Sequence, residues 1–320
     1  MLVAHPPHRY NPPLARLRRA ILAHIIQEQS AVGLWKNFKK LLKKRRKWQA
    51  DYFLLSYPKC GRTWLTLQIG RAIQQHFNLS VENLLKLGTL SDACPDVPAI
   101  RITHDRAPHR KRPDELPALK KDFAGRKVIF MVRDPRDVIV SYYFHKTKRE
   151  KVKKFWFFQK KRKQTRSPFT GTLSEFLTTD IGGFDTLLRY YNVWAASQDL
   201  TSDFLLVRYE DMHEDPEREL RRVLDFIKLQ AVTDDEVRDA VEFAAFDNMR
   251  KMEAAEGTGS YKLKPGNRND AESFKVRKGK VGGYAEYLSD EDVELLNRKM
   301  AETLSDFYGY EPCAPSTPDK

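Results

Sequence analysis

The segment Asp51–Trp64 combines a strand pattern with a small loop whose residue types suit phosphate binding. It reads D-Y-F-L-L-S-Y-P-K-C-G-R-T-W, in which Tyr52–Tyr57 is an apolar run of strand length and a helical pattern follows the loop. A strand that leads through a tight loop into a helix points backbone N–H groups and the positive end of the helix dipole at one spot. Lys59 adds a cation there and Thr63 adds a hydroxyl, so the segment predicts a phosphate-binding site.

The order of residues in this loop differs from that of the common nucleoside-triphosphate loop. G-x-x-x-x-G-K-[ST] places the lysine after the glycines, whereas Lys59 precedes Gly61 here. A kinase-like P-loop phosphotransferase, which also needs an acidic ligand for Mg²⁺, is therefore the alternative rather than the first interpretation.

Three further strand patterns each lead to a polar residue. They are Pro98–His104, which ends at His104; Lys127–Val132, followed by Arg133; and Phe204–Val207, followed by Arg208 and Tyr209. In parallel sheets, ligands bind beyond the carboxyl ends of the strands. We therefore expect these polar residues and Lys59 to surround one site.

Helical patterns alternate with the strands. The predicted helices are Trp64–Phe77, Pro135 towards Phe144, Leu173–Leu177, Phe184–Gln198, Pro216–Ile227, Thr233–Phe243, Phe246–Ala255 and Asp290–Phe307, with a short helical or loop element at Val81–Leu90. Asp134 is predicted to cap the helix that begins at Pro135, and Thr233 with Glu236 to form a capping box. The alternation predicts an α/β fold with a central, mostly parallel sheet flanked by helices.

The chain is strongly basic, with 57 lysine and arginine residues against 43 acidic ones and a net charge of +14. This balance indicates an anionic partner, such as a nucleotide, a membrane surface or a sulfated product. The charge is concentrated in two segments. Lys36–Lys47 holds eight basic residues and no acid, and Lys146–Lys163 holds ten basic residues against Glu150 alone.

These patterns divide the chain into a basic amphipathic extension over residues 1–49, a domain over 50–310 with a basic and aromatic insert at about 146–170, and a tail over 311–320. The extension fits either a helix lying on an acidic membrane surface or a helix packed on the domain with a solvated basic face. The basic and aromatic residues at 153–163 also suit a non-catalytic protein that binds membranes or RNA.

The three cysteines, at positions 60, 94 and 313, lack the spacing of a metal site or a disulfide framework. No apolar run approaches the roughly 20 residues that span a bilayer, and the N-terminus lacks the apolar core of a signal peptide. The chain is therefore predicted to be cytoplasmic, with peripheral contact to an acidic membrane surface as an open option.

Four segments together resemble the sulfotransferases that use 3′-phosphoadenosine-5′-phosphosulfate (PAPS). Y-P-K-C-G-R-T-W resembles the family's 5′-phosphosulfate loop, and R-D-P-R-D-V-I-V-S-Y-Y its 3′-phosphate motif. R-Y-E-D-M is similar to its Y-E-D-M segment, and F-K-V-R-K-G-K-V-G-G to its R-K-G-x-x-G motif. These segments are Tyr57–Trp64, Arg133–Tyr143, Arg208–Met212 and Phe274–Gly283. The resemblance covers about residues 50–310 and implies the family's α/β fold.

The resemblance assigns roles that agree with the chemistry of the residues. Lys59 is predicted to stabilise the charge that gathers on the leaving phosphate, and Trp64 and Tyr209 to contact adenine. Tyr209 also suits a core aromatic role. The predicted donor-binding residues are Lys59, Cys60, Gly61, Arg62, Thr63, Trp64, Arg133, Ser141, Tyr209, Arg277, Lys278 and Gly279.

Two further predictions concern the second phosphate and the acceptor. Arg133, whose guanidinium fork suits a phosphate, is expected to bind the 3′-phosphate; alternatively, it forms a local ion pair with Asp137. An acceptor hydroxyl must lose its proton as it attacks, and His104 is the candidate general base. It lies in I-T-H, which resembles the family's K-T-H segment.

This chain departs from the family pattern at several positions. The serine after the loop lysine is Cys60, a threonine of the loop is Arg62, and the lysine two residues before the histidine is Ile102. A hydroxyl-bearing residue is replaced by Ala244 or Ala245. The dimerisation pattern K-x-x-x-T-V-x-x-x-E is not kept, so the oligomeric state is left open.

The sequence thus predicts a PAPS-dependent sulfotransferase that needs no metal and no specific nucleic acid. The acceptor carries a hydroxyl, on a glycan, a glycolipid, or a small alcohol or phenol. Substitution of Lys59 and His104 separates this hypothesis from a binding module, because a binding module would keep its affinity whereas an enzyme would lose turnover.

Overall fold

The computed structural model describes residues 50–150, 153–154, 165–166, 168–255 and 263–311. The predicted extension over 1–49, most of the predicted insert at 146–170 and the tail from residue 312 lie outside the described residues. The domain prediction for these segments therefore stays a prediction.

Four parallel strands form the central sheet. They are β1 (Tyr52–Ser56), β2 (Ile100–Thr103), β3 (Lys127–Val132) and β6 (Asp203–Arg208), and their order across the sheet is β2-β1-β3-β6. A separate pair of two-residue antiparallel strands is formed by β4 (Lys153–Lys154) and β5 (Thr165–Arg166). Every residue of the inner strand β1 is buried, as its apolar sequence predicts for a strand covered on both faces.

Helices connect and flank the strands. They are α1 (Arg62–His76), α2 (Leu87–Ala93), α3 (Pro135–Phe144), α4 (Leu173–Leu177), α5 (Phe184–Ala195), α6 (Tyr209–Glu214), α7 (Pro216–Phe226), α8 (Asp234–Phe243), α9 (Phe246–Ala255) and α10 (Asp290–Thr303). A π-helical turn, His145–Arg149, follows α3 directly. The predicted α/β fold with a parallel sheet flanked by helices is confirmed.

Neighbouring residues of β1 show that the helices cover both faces of the sheet. Successive side chains of a strand point to opposite faces. The ring of Tyr52 contacts Phe226 of α7, whereas the ring of Phe53 contacts Phe123. Phe123 in turn contacts Trp194 of α5. Helices α7 and α5 therefore lie on opposite faces of the sheet.

Several predicted element ends are confirmed by local hydrogen bonds. The side chain of Asp134 accepts from the backbone N–H of Arg136 and caps α3. Thr233 and Glu236 form the predicted capping box of α8. Other bounds were predicted inaccurately: α1 begins at Arg62 rather than at position 64, α5 ends at Ala195, and α10 ends at Thr303. The element predicted at Val81–Leu90 is the helix α2, which spans Leu87–Ala93.

The short helix α6 was not predicted as a helix. The sequence pattern predicts only a strand that ends before the Y-E-D-M segment and gives no structure for the segment itself. Arg208, in extended conformation, precedes the helix, and Glu210 and Asp211 lie in its first turn, where acidic side chains are favoured by the helix dipole. That acidic first turn is the sequence signal that would have revealed the helix.

An unusual turn follows β2 at the predicted base. Asp105, Arg106 and Ala107 have φ angles of 43°, 59° and 55°, a left-handed conformation that costs non-glycine residues on the order of 1–3 kcal/mol each. The carboxylate of Asp105 lies 2.6 Å from the ammonium of Lys120, and both side chains are buried. This ion pair holds the turn in place immediately after His104.

Within the described residues, no helix is both long enough and apolar enough to cross a bilayer. Cys60 and Cys94 are both free thiols, and Cys60 is buried.

Candidate active site

A cavity of about 800 Å³ opens beyond the carboxyl ends of the four sheet strands. It brings together every predicted site residue except Cys60. These lining residues are Lys59, Gly61, Arg62, Thr63, Trp64, His104, Arg133, Ser141, Tyr209, Arg277, Lys278 and Gly279. The topology explains the convergence, because four parallel strands end at the same edge of the sheet.

The loop between β1 and α1 is held in a conformation that few residues adopt. Lys59 has φ 79° and Gly61 has φ 87°. A Cβ atom at position 61 would lie 2.5 Å from the ring of Tyr209, so only glycine fits there. No side chain caps the N-terminus of α1. Its first N–H groups are therefore suited to bind an anion.

The ammonium of Lys59 has neither a hydrogen bond nor an ion pair with any described residue. Burial, followed by the charges of Arg149, Arg133 and Arg277, lowers its pKa to about 7. An anion that enters the cavity strongly stabilises the charged form of such an amine, because it offsets both the lost solvation and the repulsion by the neighbouring cations. This arrangement fits a phosphate or phosphosulfate better than a neutral ligand.

Cys60 points away from the cavity. Its side chain is fully buried, and its Sγ lies 3.4 Å from the hydroxyl of Tyr191. That hydroxyl donates to the carbonyl of Arg133 at 2.9 Å and accepts from the Arg133 N–H at 3.1 Å. Tyr191 thus ties the loop after β1 to the end of β3. Any contribution of Cys60 to ligand binding comes from its backbone alone.

Arg133 and Asp137 form the ion pair that was the alternative interpretation of the sequence, with Nη2 and Oδ2 3.1 Å apart. The pair does not remove Arg133 from the site, because Arg133 lines the cavity and its buried Nε has no hydrogen-bond partner among the described residues. The carboxylate of Asp137 also accepts from the backbone N–H groups of Gly282 and Tyr284, both at 2.9 Å. Asp137 therefore joins α3 to the glycine-rich loop, Phe274–Gly283, which carries Arg277.

Glu253 anchors the other end of this glycine-rich loop. Its carboxylate is fully buried and accepts from the backbone N–H groups of Lys275 and Val276, at 2.7 and 2.9 Å. It also accepts from Arg149 of the π-helical turn at 3.0 Å. One side chain of α9 therefore fixes two segments that line the cavity.

We expect Glu253→Ala to lower the free energy of unfolding by about 3–5 kcal/mol, because it leaves the mostly buried guanidinium of Arg149 without its counter-ion and two backbone N–H groups without an acceptor. Urea denaturation measures this loss. The control is Glu294→Ala on the exposed face of α10, for which a change within about 0.5 kcal/mol is expected. A loss for Glu253→Ala as small as that of the control would show that the loop is anchored elsewhere.

His104 is held as a neutral imidazole with a defined tautomer. Its Nδ1 lies 2.9 Å from the carbonyl oxygen of Ser56, and because a carbonyl only accepts, Nδ1 carries the proton. The unprotonated Nε2 then accepts from Nη2 of Arg62 at 2.7 Å. Burial, followed by the charge of Arg62, holds the pKa of His104 well below its usual value. Nε2, the nitrogen that would accept a proton from the acceptor, is therefore unprotonated, but the guanidinium of Arg62 covers it.

The cavity also contains residues that the sequence did not single out. His145 stacks on Tyr142, with ring centroids 6.1 Å apart, and burial together with the charge of Lys59 lowers its pKa to about 3. Phe246 is 40% exposed and packs on Gly279, where a Cβ atom would lie 2.5 Å from its ring. The sequence signal for Phe246 was its place as the first residue of an F-x-x-M segment, Phe246–Met249. The sequence offered no such signal for His145, which follows α3.

Aromatic side chains form one wall of the cavity. Trp64 contacts Tyr209 and His213, with ring centroids 5.7 and 5.0 Å apart, and Arg133 lies over the ring of Tyr209 at 4.3 Å. Tyr209 is buried and also lines the cavity, so its place in the core is observed and its contact with adenine stays a prediction. The wall offers aromatic rings beside a set of cations.

Two plant enzymes are similar to this chain in sequence. Cytosolic sulfotransferase 17 of Arabidopsis thaliana is 26% identical over 277 residues, which cover 79% of this chain and 73% of the relative. Flavonol 3-sulfotransferase of Flaveria bidentis is 26% identical over 273 residues, which cover 79% of this chain and 81% of the relative. The matched region is long enough to include the sheet and the cavity.

Two solved structures share the fold. The mouse sulfotransferase SULT7A1 complexed with PAP aligns with a TM-score of 0.52 at 20% identity, covering 79% of this chain and 84% of its own. Retinol dehydratase in a complex with retinol and PAP aligns with a TM-score of 0.51 at 17% identity, covering 80% and 81%. Residues 49–308 match the model of the sulfotransferase domain. Since this match spans most of the chain, the protein belongs to the sulfotransferase domain family.

Proposed function

We propose that this protein transfers a sulfonate group from PAPS to a hydroxyl of an acceptor and releases adenosine 3′,5′-bisphosphate (PAP). The observation that carries the proposal is the ammonium of Lys59, which faces the cavity in a strained loop without an anionic partner among the described residues. The uncapped start of α1 adds N–H donors beside it. Together they form a cradle for the 5′-phosphosulfate.

The second phosphate of PAPS has its own candidate residues. Arg133 offers its buried Nε, and Ser141, Arg277, Lys278 and Gly279 line the same cavity. A kinase has no need for this second cation cluster. The acidic residue in the described lining is Asp137, and it is engaged by Arg133 and two backbone N–H groups. The geometry therefore favours sulfonate transfer over a Mg²⁺-dependent phosphotransferase.

The proposed reaction is an in-line transfer. The acceptor oxygen attacks sulfur, and the bond between sulfur and the phosphate oxygen breaks. Lys59 stabilises the charge that develops on the leaving phosphate. His104 takes the acceptor proton at Nε2 as the new S–O bond forms, while its Nδ1–H stays bonded to Ser56. No step requires a metal.

The acceptor is a hydroxyl-bearing compound, and flavonol 3-sulfotransferase of Flaveria bidentis provides a precedent for a phenolic one in its name. A cytoplasmic location is proposed because Arabidopsis relatives are named cytosolic sulfotransferases. Contact with an acidic membrane surface rests on residues 1–49 and 146–170, and it stays a prediction from their sequence.

The proposal is tested in two measurements. Isothermal titration with PAP reports donor-site binding, and incubation with ³⁵S-labelled PAPS and a panel of phenols, glycans and glycolipids reports transfer. We expect PAP binding and transfer of label to at least one acceptor class. A protein that binds neither PAP nor PAPS would overturn the proposal.

The low pKa of Lys59 makes donor binding depend on pH. The free ammonium titrates at about 7, and a bound anion raises that pKa, so binding takes up a proton above neutrality. Affinity for PAP is therefore greatest between about pH 6 and 7 and should fall by up to about tenfold per pH unit as the pH rises from about 7 to 9. The 3′-phosphate itself titrates at about 6, below the window of this fall.

Isothermal titration at a series of pH values measures this effect. The matched control is Lys59→Met, in which the affinity should be weaker and nearly independent of pH across the same window. An affinity of the unchanged protein that stays constant from about pH 7 to 9 would contradict the assigned state of Lys59.

A further inference from the structure

Arg62 differs from Arg133, Arg149 and Arg277 of the same cavity because no acidic side chain among the described residues pairs with it. Arg133 pairs with Asp137, Arg149 with Glu253, Arg277 with Glu272, and Lys278 and Lys280 with Glu286. Among the described residues, the guanidinium of Arg62 donates to the carbonyl of Thr103 and to Nε2 of His104. Both of these acceptors are neutral.

A partly buried guanidinium without a counter-ion loses solvation energy, and its two neutral hydrogen-bond acceptors offset this loss only in part. Burial lowers the pKa of Arg62 to about 10, which is the sign of this cost. A planar guanidinium carries five N–H donors, and two partners account for only part of them. The remaining donors lie in a cavity wall, where a ligand can reach them.

The position of Arg62 identifies which ligand it would meet. Its Nη2 touches Nε2 of His104, the atom that must face the acceptor hydroxyl. The residue therefore lies at the acceptor end of the cavity, whereas the paired cations Arg133 and Arg277 belong to the end proposed for the 3′-phosphate.

A neutral acceptor would bind only weakly in this arrangement. Its hydroxyl would have to compete with the charged guanidinium of Arg62 for the lone pair of Nε2, and the guanidinium would stay without an anion. An acceptor that carries an oxyanion near its hydroxyl would instead bind the guanidinium with two parallel hydrogen bonds. Binding of that oxyanion would also draw the guanidinium away from Nε2 and expose the lone pair to the hydroxyl.

We propose, building on the sulfotransferase function above, that Arg62 binds an oxyanion of the acceptor and that the preferred acceptors are anionic alcohols or phenols. The shared chemistry is that of a carboxylate, an ester sulfate or an ester phosphate beside the hydroxyl that receives the sulfonate. Arg110 supports a preference for anionic acceptors, because it is an exposed cation on the rim of the same cavity and no described acidic side chain pairs with it.

The test uses acceptor pairs that differ only in charge. We suggest 3-hydroxybenzoate with 3-hydroxybenzamide, p-nitrophenyl β-D-glucuronide with the corresponding glucoside, and N-acetylglucosamine 6-sulfate with N-acetylglucosamine. The pairs distinguish a carboxylate from an ester sulfate and a phenol from a sugar. Binding is measured by titration into the PAP-loaded protein, and turnover is measured with labelled PAPS.

In at least one pair, the charged member should bind the PAP-loaded protein about 10- to 100-fold more tightly than its neutral partner, the range expected for charge-assisted hydrogen bonds. Arg62→Met should abolish this preference, and Arg62→Lys should retain part of it. The matched control is Arg101→Met, on β2 and outside the cavity lining, which should keep the full preference.

Three binding results would overturn the inference: the charged and neutral members of every pair bind equally, no charged member binds the PAP-loaded protein, or the preference survives in Arg62→Met. If Arg62→Met instead slows turnover of charged and neutral acceptors alike, Arg62 serves the transferred sulfonate rather than the acceptor, and the inference is likewise wrong. Because PAP binding is measured first in every variant, failure of the proposed function would show as a loss at that step, before any acceptor is added.

Discussion

Lys59→Met is expected to transfer sulfonate with a kcat about 100- to 1000-fold below that of the unchanged protein, the loss typical of removing one donor from a preorganised anion site. The substitution removes the ammonium group and leaves an unbranched apolar side chain that is one atom shorter. The ammonium has no partner of its own among the described residues, so its whole interaction is available to the leaving phosphate. Rapid-quench assays at saturating PAPS measure the chemical step.

The control for this variant is Lys121→Met, which removes an exposed lysine from a turn outside the cavity lining and should leave kcat unchanged. A loss of less than about tenfold in Lys59→Met would mean that another group stabilises the leaving phosphate. Lys59→Arg provides a further check, because it restores charge without restoring the compact ammonium.

His104→Asn is expected to lower kcat about 100- to 10,000-fold, the range usual for loss of a general base. Asparagine can still donate an N–H to the carbonyl of Ser56, as Nδ1 of His104 does at 2.9 Å, but it lacks a basic nitrogen. The variant therefore removes the base with little change to the end of β2. If kcat is retained, proton transfer does not depend on His104.

The pH profile separates a catalytic role of His104 from a structural one. A base is active when neutral, and the pKa of His104 lies well below its usual value because of burial and Arg62. At saturating PAPS, kcat should therefore show no decline from this group near pH 6.5 and should fall only in more acidic solution. Replacing Arg62 with methionine should move that acidic limb to higher pH.

Much of the site could be predicted because it depends on where strands end. Lys59, His104 and Arg133 each follow an apolar run that was recognisable as a strand, and parallel strands bring such residues to one edge. The N-terminal ends of α3 and α8 were also predictable, because an N-cap side chain bonds to backbone N–H groups only two or three residues further along the chain.

The relations that the sequence could not reveal join residues far apart in the chain. Arg62 and His104 both stood in recognised motifs, yet nothing in either motif indicates that one covers the reactive nitrogen of the other. Cys60 was expected to bind the donor, but its side chain belongs to the core beside Tyr191. The link from Glu253 to the glycine-rich loop depends on the packing of α9, which local patterns do not encode.

The left-handed turn over Asp105, Arg106 and Ala107 has a consequence for evolution and engineering. A glycine at position 106 or 107 would relieve backbone strain, whereas at position 105 it would also remove the carboxylate that pairs with the buried Lys120. Selection for heat resistance should therefore reach Arg106 and Ala107 rather than Asp105. The same change would loosen the residues that follow His104 and would widen the range of orientations open to its imidazole. Stability and turnover therefore compete at this turn, and a thermostable catalyst is better sought through changes elsewhere on the surface.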